Sequence, residues 1–161
     1  MPHVICEYSA NLEKKIAIDA LLETLHTAML RTGAAELAGL RTRADRRDQY
    51  RIADNDPANG FINVTIRVAK GRSAETRRRI AETVFADARK HLDAVYASSP
   101  FVLSVEVQEI DPDFRIHESN IRAWMKAKEE EAAARSISSS LASLKPSAVA
   151  AGSRASRSTI E

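Results

Sequence analysis

The chain has 161 residues, of which 44% are hydrophobic and 29% charged, and its net charge at pH 7 is +2. These values are typical of a soluble chain with one domain of ordinary size and give no reason to expect nucleic acid as a partner. No stretch approaches the ~20 apolar residues of a membrane helix, and the start lacks the features of a signal peptide. The single cysteine, Cys6, cannot form an internal disulfide, which favours a cytoplasmic location.

The first half of the chain changes its hydrophobic spacing in the order strand, helix, strand. Alternation predicts a strand over residues 3–8, and apolar residues at helical spacing predict a helix over 18–29. Gly33 is placed to end that helix. A second strand is predicted over 37–43, followed by turn signals at 54–60.

The second half repeats this order. Alternation predicts strands over residues 62–68 and 103–107. Between them, Gly71 makes a turn and Ser73 caps a helix that has one apolar stripe. The stripe consists of Ile80, Val84, Ala88, Leu92 and Val95. Two β-α-β units of this kind predict an α+β fold, with a four-stranded sheet and both helices on one face. The other face is expected to be uncovered, with apolar content that favours self-association.

The chain is expected to divide into a domain over residues 1–126 and a tail over 127–161. The last 35 residues contain nine serines, nine alanines and no aromatic residue. A helix is predicted over 121–135. Residues 136–161 are predicted to be disordered, because they have too little apolar surface to offset the entropy of ordering.

Pro2 is the first candidate for chemistry. If Met1 is removed, Pro2 carries a basic secondary amine. Burial and nearby cations would lower the pKa of that amine and suit it to proton transfer. The alternative is an ordinary Met-Pro start, since proline is acceptable as a first strand residue.

Three arginines form the second candidate. Arg41 and Arg43 share one face of the second strand, and Arg72 lies at the start of the second helix. Guanidinium groups bind carboxylates through two hydrogen bonds, and a helix N-terminus also attracts anions, so a small acidic substrate is expected. Alternatively, these arginines are solvated or paired with Asp45 and Asp48.

Other classes of site find less support. The four histidines and Cys6 show no metal-ligand spacing, and there is no glycine-rich nucleotide loop, so no metal site is expected. Cys6 is expected to pack in the core. An RNA-recognition fold has the same strand order but needs aromatic residues on its central strands, which residues 4–6 and 62–64 do not offer.

Five separated motifs together resemble the 5-carboxymethyl-2-hydroxymuconate isomerase family of the tautomerase superfamily. They are MPHVICEYS at 1–9, LAGLRTR at 37–43, GRS at 71–73, SVEVQEI at 104–110 and NIRAWMK at 120–126. The resemblance runs through almost all of residues 2–126 in the family's order and spacing.

The resemblance implies a trimer of β-α-β-β-α-β subunits that needs no metal or organic cofactor. It implies that Pro2 shuttles a proton between the enol oxygen and a carbon of a 2-hydroxymuconate-type acid during the breakdown of aromatic acids. It further implies that Arg41 and Arg72 hold substrate carboxylates and polarise the carbonyl. Whether Arg43 assists them is left open.

Two departures from the family bear on function. The tail extends past the family's usual end, and Arg46-Arg47 and Gln49-Tyr50 fall where members often carry a tryptophan that lines or flanks the pocket. The second departure leaves the identity of the substrate open. A trimeric binding or scaffold protein that keeps the fold without the reaction is the alternative function.

Overall fold

The structure, a computed structural model, describes residues 2–143. It divides into one unit that ends at Ser119 and a second that begins at Asn120, and each is described by itself. Among the described helices, none is long and apolar enough to cross a membrane.

The first unit contains four strands and three α-helices. The strands are β1 (His3–Ser9), β2 (Arg41–Arg47), β3 (Gly60–Ala69) and β4 (Phe101–Ile110). The helices are α1 (Ile18–Arg31), α2 (Ala74–His91) and α3 (Asp93–Ser98). Single 3-10 turns lie at Ala10–Lys14, Leu37–Gly39 and Pro112–Phe114. The second unit contains α4 (Ile121–Ser143).

The four strands form one sheet in the order β2-β1-β3-β4. β1 is parallel to β2 and antiparallel to β3, and β3 is parallel to β4. Each parallel pair is joined through a helix, as a parallel connection requires. The predicted β-α-β-β-α-β fold is therefore confirmed.

One face of the sheet packs against the helices and forms the core. Alternate residues of β1 and β3 are buried there, and so are all five residues of the predicted stripe on the second helix. That stripe spans a break, because α2 ends at His91 and α3 begins at Asp93. Cys6 is buried in this layer, and burial raises the pKa of its thiol to about 12, so it is a neutral core residue as expected.

The other face of the sheet is open and largely polar. Arg47 pairs with Glu7 across β2 and β1, and Thr65 donates to Glu106 across β3 and β4. Strand alternation places five apolar residues on this face, which are Ile5, Phe61, Ala69, Val102 and Ile110. Apolar residues are a minority on this face, and the expectation that they favour self-association stays a prediction.

The second strand begins at Arg41 rather than at residue 37, and it continues to Arg47. Within the described residues β2 pairs only with β1, and the β1–β2 ladder begins with the pair of His3 and Arg41. The start of β1 therefore sets the start of β2. Before His3 stands Pro2, which has no N–H to donate. Residues Leu37–Gly39 form a 3-10 turn instead.

The prediction of disorder is wrong for residues 136–143, since helix α4 continues past the predicted residue 135 to Ser143. Alanine, glutamate, lysine and arginine have high helix propensities and need no apolar face to form a helix. Two pairs four residues apart add support, namely Lys126 with Glu130 at 3.6 Å and Glu131 with Arg135 at 2.6 Å. The prediction of disorder for 144–161 lies outside the described residues.

The start of α2 has the predicted cap. Gly71 has a φ of +99°, and the Ser73 hydroxyl accepts a hydrogen bond from the Thr76 N–H at 3.1 Å. We expect Ser73→Ala to lower the free energy of unfolding by about 1 kcal/mol, because it leaves one helix N–H without its acceptor. Urea denaturation measures the change. Ser98→Ala, at an exposed position in the last turn of α3, is the control, and an equal loss in both variants would contradict this role for Ser73.

Candidate active site

Pro2 is buried and immediately precedes β1. Its carbonyl oxygen accepts a hydrogen bond from the backbone N–H of Arg41 at 3.2 Å. Because β1 lies between β2 and β3, the residue at its head is flanked by strands on both sides. The sheet thereby holds Arg41 directly beside Pro2, as the sequence-based hypothesis requires.

A row of arginines, with His3 between them, crosses the open face next to Pro2. The ladder places His3 between Arg41 of β2 and Arg67 of β3. The Nε2 atom of His3 lies 3.5 Å from Nη1 of Arg41, and its Nδ1 atom lies 3.3 Å from Nη1 of Arg43. Like charges on neighbouring strands destabilise a sheet, so the arginines of this row lower the stability of the folded chain unless an anion binds beside them.

The imidazole of His3 responds to this environment. Burial lowers its pKa below the ordinary value, and the charges of Arg41, Arg43, Arg67 and Arg115 lower it further. Every charge that shifts this pKa is positive. His3 therefore acts as a neutral neighbour of the guanidinium groups near pH 7, and a bound anion would favour its protonation.

Residues 111–117 run from β4 at one side of the sheet to β2 at the other. Asp111 is held by Lys70 at 3.0 Å, and Nε2 of His117 lies 3.2 Å from Nη2 of Arg41. This crossing segment therefore passes the end of the sheet at which Pro2 lies. Desolvation, followed by the charges of Arg115 and Arg41, lowers the pKa of His117.

Arg72 is placed differently from the other two predicted arginines. Its guanidinium donates to the carbonyl oxygens of Ala69 and Ala34, each at 2.9 Å. It thus ties the end of β3 to the chain that follows α1. The structure brings Pro2, Arg41 and Arg43 together and gives Arg72 two contacts to the backbone.

The sequence left open a pairing of these arginines with acidic neighbours. The contacts of Arg43 and Asp48 differ from that pairing. Arg43 faces His3, whereas Asp48 accepts from Nε of Arg46 at 2.9 Å. Arg46 also pairs with Glu13 at 2.8 Å.

The stretch that departs from the family lies away from Pro2 in this chain. Residues 48–51 and Asn55 line an open cavity beyond the end of β2, whereas Arg41 stands at its start. A strand of this length separates the two by about 20 Å. The expected role of residues 49–50 in flanking the same pocket therefore gains no support from the geometry of a single subunit.

Within residues 2–143 there is no cluster of three or more histidine, cysteine or acidic side chains that could hold a metal ion.

Two histidines and two arginines near Pro2 were not singled out from the sequence, namely His3, His117, Arg67 and Arg115. Two signals could have indicated them. His3 and Arg67 occupy alternate, non-apolar positions at strand ends, and residues 114–117 alternate as Phe-Arg-Ile-His. In an extended segment this alternation places Arg115 and His117 on one side.

The lowered pKa of His3 predicts a pH-dependent stability. Between the folded pKa and the unfolded value of about 6.5, the unfolded chain binds more protons, so stability falls as the pH falls through that window. We expect His3→Gln to make the decline in melting temperature between about pH 7 and pH 5 shallower. His91→Gln, on the helical layer, controls for the loss of an imidazole. An unchanged slope in His3→Gln would contradict the assignment.

Comparison with known proteins identifies the family. The family model of 5-carboxymethyl-2-hydroxymuconate isomerase matches residues 2–125. The 5-carboxymethyl-2-hydroxymuconate Delta-isomerase of Escherichia coli is 29% identical over 126 residues, which are 78% of this chain and all of that protein.

Solved structures agree with this match. A 5-carboxymethyl-2-hydroxymuconate isomerase from Deinococcus radiodurans R1 superposes with a TM-score of 0.71 at 30% identity, covering 77% of this chain and 93% of that one. A fused 4-OT described as a symmetric trimer has a TM-score of 0.54 at 19% identity, covering 72% of this chain and 93% of that one, and it shows the shared fold alone. Because the family model spans most of the chain, the protein belongs to the 5-carboxymethyl-2-hydroxymuconate isomerase family.

Proposed function

We propose that the chain is an isomerase that converts a carboxylated 2-hydroxymuconate-type dienol into its ketone during the breakdown of aromatic acids. Family membership supports the reaction class. The observation that carries the proposal for this chain is the hydrogen bond between Pro2 and Arg41, which holds a guanidinium-bearing residue beside the proposed base. The enzyme acts in the cytoplasm, as its single cysteine leads us to expect.

The reaction moves one proton within the substrate. The Pro2 nitrogen takes the proton of the enol hydroxyl, the carbon–oxygen double bond forms, and electrons shift along the conjugated chain. A carbon of that chain then takes the proton back from Pro2, so one group serves first as base and then as acid. Atoms and electrons balance without any co-reactant. The step requires a free Pro2 amine and therefore the removal of Met1.

The arginines supply positive charge where the enolate develops. Arg41 and Arg43 bind the carboxylate beside the reacting oxygen and stabilise the negative charge that forms there. The same charges favour the neutral form of the amine. The guanidinium of Arg72 has five N–H groups. Its Nη1 and Nη2 atoms each donate one hydrogen bond to a backbone carbonyl, and the remaining N–H groups polarise the substrate carbonyl.

The active form is a homotrimer. Phe114 and Ile116 lie almost fully exposed on the crossing segment, which supports their burial by another subunit. The trimeric relative of the same fold is consistent with this assembly.

We expect Pro2→Ala to lower kcat/KM for 2-hydroxymuconate by at least about 100-fold, because the secondary amine that relays the proton is lost. Absorbance of the dienol follows the reaction, and intact mass measures the loss of Met1. A chain with one extra residue before Pro2 is the control, since it keeps the proline but converts its nitrogen into an amide. Full activity in either variant would refute the mechanism. A wild-type chain that retains Met1 and is inactive would favour the scaffold alternative.

The two arginine sites differ in their expected effects. Arg41→Gln should lower kcat/KM by about 10- to 100-fold, because one charge-assisted contact to the carboxylate is lost. Arg72→Gln should also lower the free energy of unfolding, by about 1–2 kcal/mol, since it releases two backbone carbonyls. Steady-state kinetics and urea denaturation separate the effects. Arg79→Gln, at an exposed position of α2, is the control for loss of charge. Arg72→Gln of unchanged stability would contradict the tether.

A further inference from the structure

One motif of the sequence has no role in the site described above. The stretch SVEVQEI at 104–110 is one of the five that resemble the family, and it forms most of β4. Its last acidic residue is Glu109. The β3–β4 ladder pairs Glu109 with Val68, one residue before the ladder ends. Glu109 therefore lies next to the turn that follows β3.

That turn joins the sheet to helix α2 and carries Arg72. Gly71 at its centre has a φ of +99°, in the left-handed region that favours glycine. Among the described residues, a Cβ placed on Gly71 would meet no atom within 4 Å, so no packing against its α-carbon holds the turn. A glycine in open space has many accessible conformations, and hydrogen bonds are needed to select one of them.

The carboxylate of Glu109 supplies one of these hydrogen bonds. Its Oε1 atom accepts from the Gly71 N–H at 3.2 Å. Its Oε2 atom lies 3.3 Å from Nη1 of Arg77, which belongs to the first turn of α2. Both carboxylate oxygens are thus engaged, so Glu109 bridges the turn after β3 and the start of the helix.

The residues on either side of Gly71 show what this bond controls. Lys70 is fixed to the end of β4, because its backbone N–H donates to the Ile110 carbonyl at 3.2 Å. Its ammonium group also pairs with Asp111 at 3.0 Å. Arg72 follows Gly71, and the backbone has only two soft dihedral angles per residue. The φ and ψ of Gly71 therefore set the direction in which Arg72 leaves the turn.

The turn leaves the sheet at the end where Pro2 heads β1. β1 and β3 are antiparallel, and their ladder pairs His3 with Arg67, so the last residues of β3 lie beside the start of β1. The guanidinium of Arg72 then donates to two backbone carbonyls. A guanidinium held in this way is positioned by the backbone, so the conformation of the turn determines where its remaining N–H groups point.

We propose that Glu109 is a positioning residue for the reaction. Its hydrogen bond to Gly71 holds the turn in the conformation that directs the remaining N–H groups of Arg72 toward the substrate carbonyl. This inference rests on the proposed function for the role of Arg72. Glu109 itself touches neither the substrate nor the transferred proton. It fixes in advance a donor that stabilises charge developing on oxygen, and such a donor acts mainly on the transition state.

Kinetics of Glu109 variants test this role. Glu109→Ala removes the acceptor, and we expect it to lower kcat for 2-hydroxymuconate by about 10-fold and to change KM by less than about twofold, because the polarising donor acts in the transition state. Glu109→Gln keeps an acceptor oxygen for Gly71 and should retain at least about a third of kcat. Glu82→Ala, which removes an exposed carboxylate from α2, is the control and should change neither constant.

A double-mutant cycle separates positioning from a general loss of structure. If Glu109 acts through Arg72, Glu109→Ala should change kcat by less than about twofold in a chain that already carries Arg72→Gln. The same loss of kcat in both backgrounds would overturn the inference. A wild-type kcat in Glu109→Ala, or a rise in KM with kcat unchanged, would overturn it as well.

Amide hydrogen exchange keeps this test separate from the proposed function. A wild-type chain that turns over no dienol would refute that function, and exchange then decides whether Glu109 controls the turn. We expect the Gly71 N–H to exchange at least about 10-fold faster in Glu109→Ala, and the guanidinium NMR signals of Arg72 to shift. Glu109→Gln should keep most of the protection. Unchanged Gly71 exchange with unchanged Arg72 signals in Glu109→Ala would overturn the inference.

Discussion

The pairing of β1 with the strands on both of its sides is the constraint on which the site depends. It sets Arg41 beside Pro2 and His3 between Arg41 and Arg67. A slip of one residue between β1 and β2 would turn the arginines toward the helices and bury their charges in the apolar layer. The same hydrophobic alternation that builds the core therefore specifies the arrangement of charge on the opposite face.

The elements that could be predicted from the sequence are those with a one-sided apolar pattern. β3 and α2 each bury one set of regularly spaced residues, β4 buries one set in part, and their predicted positions agree with the structure. β2 lacks such a pattern, since it reads RTRADRR and pairs on one side only. Its limits are determined by its partner strand. α4 was underestimated for a related reason, because its stability comes from propensity and local ion pairs rather than from a buried stripe.

The site was predictable in part. Pro2, Arg41 and Arg43 follow from the residue types and the strand alternation, although their adjacency depends on a register that the sequence does not display. The position of Arg72 was predicted, but its contacts with Ala34 and Ala69 join segments distant in the chain. The inward direction of Arg115 depends on how residues 111–117 cross the sheet. Such long-range placement leaves no periodic signal in a short, irregular stretch.

The alternation along residues 114–116 couples the outside of the molecule to the site. Phe114 and Ile116 face away from the sheet, and Arg115 faces toward it, on the same short piece of backbone. Any surface that covers the two apolar side chains also restricts the guanidinium between them. A charged side chain between two outward apolar ones therefore loses freedom when those two are covered. A change at Phe114 or Ile116 would consequently act on both sides of this segment.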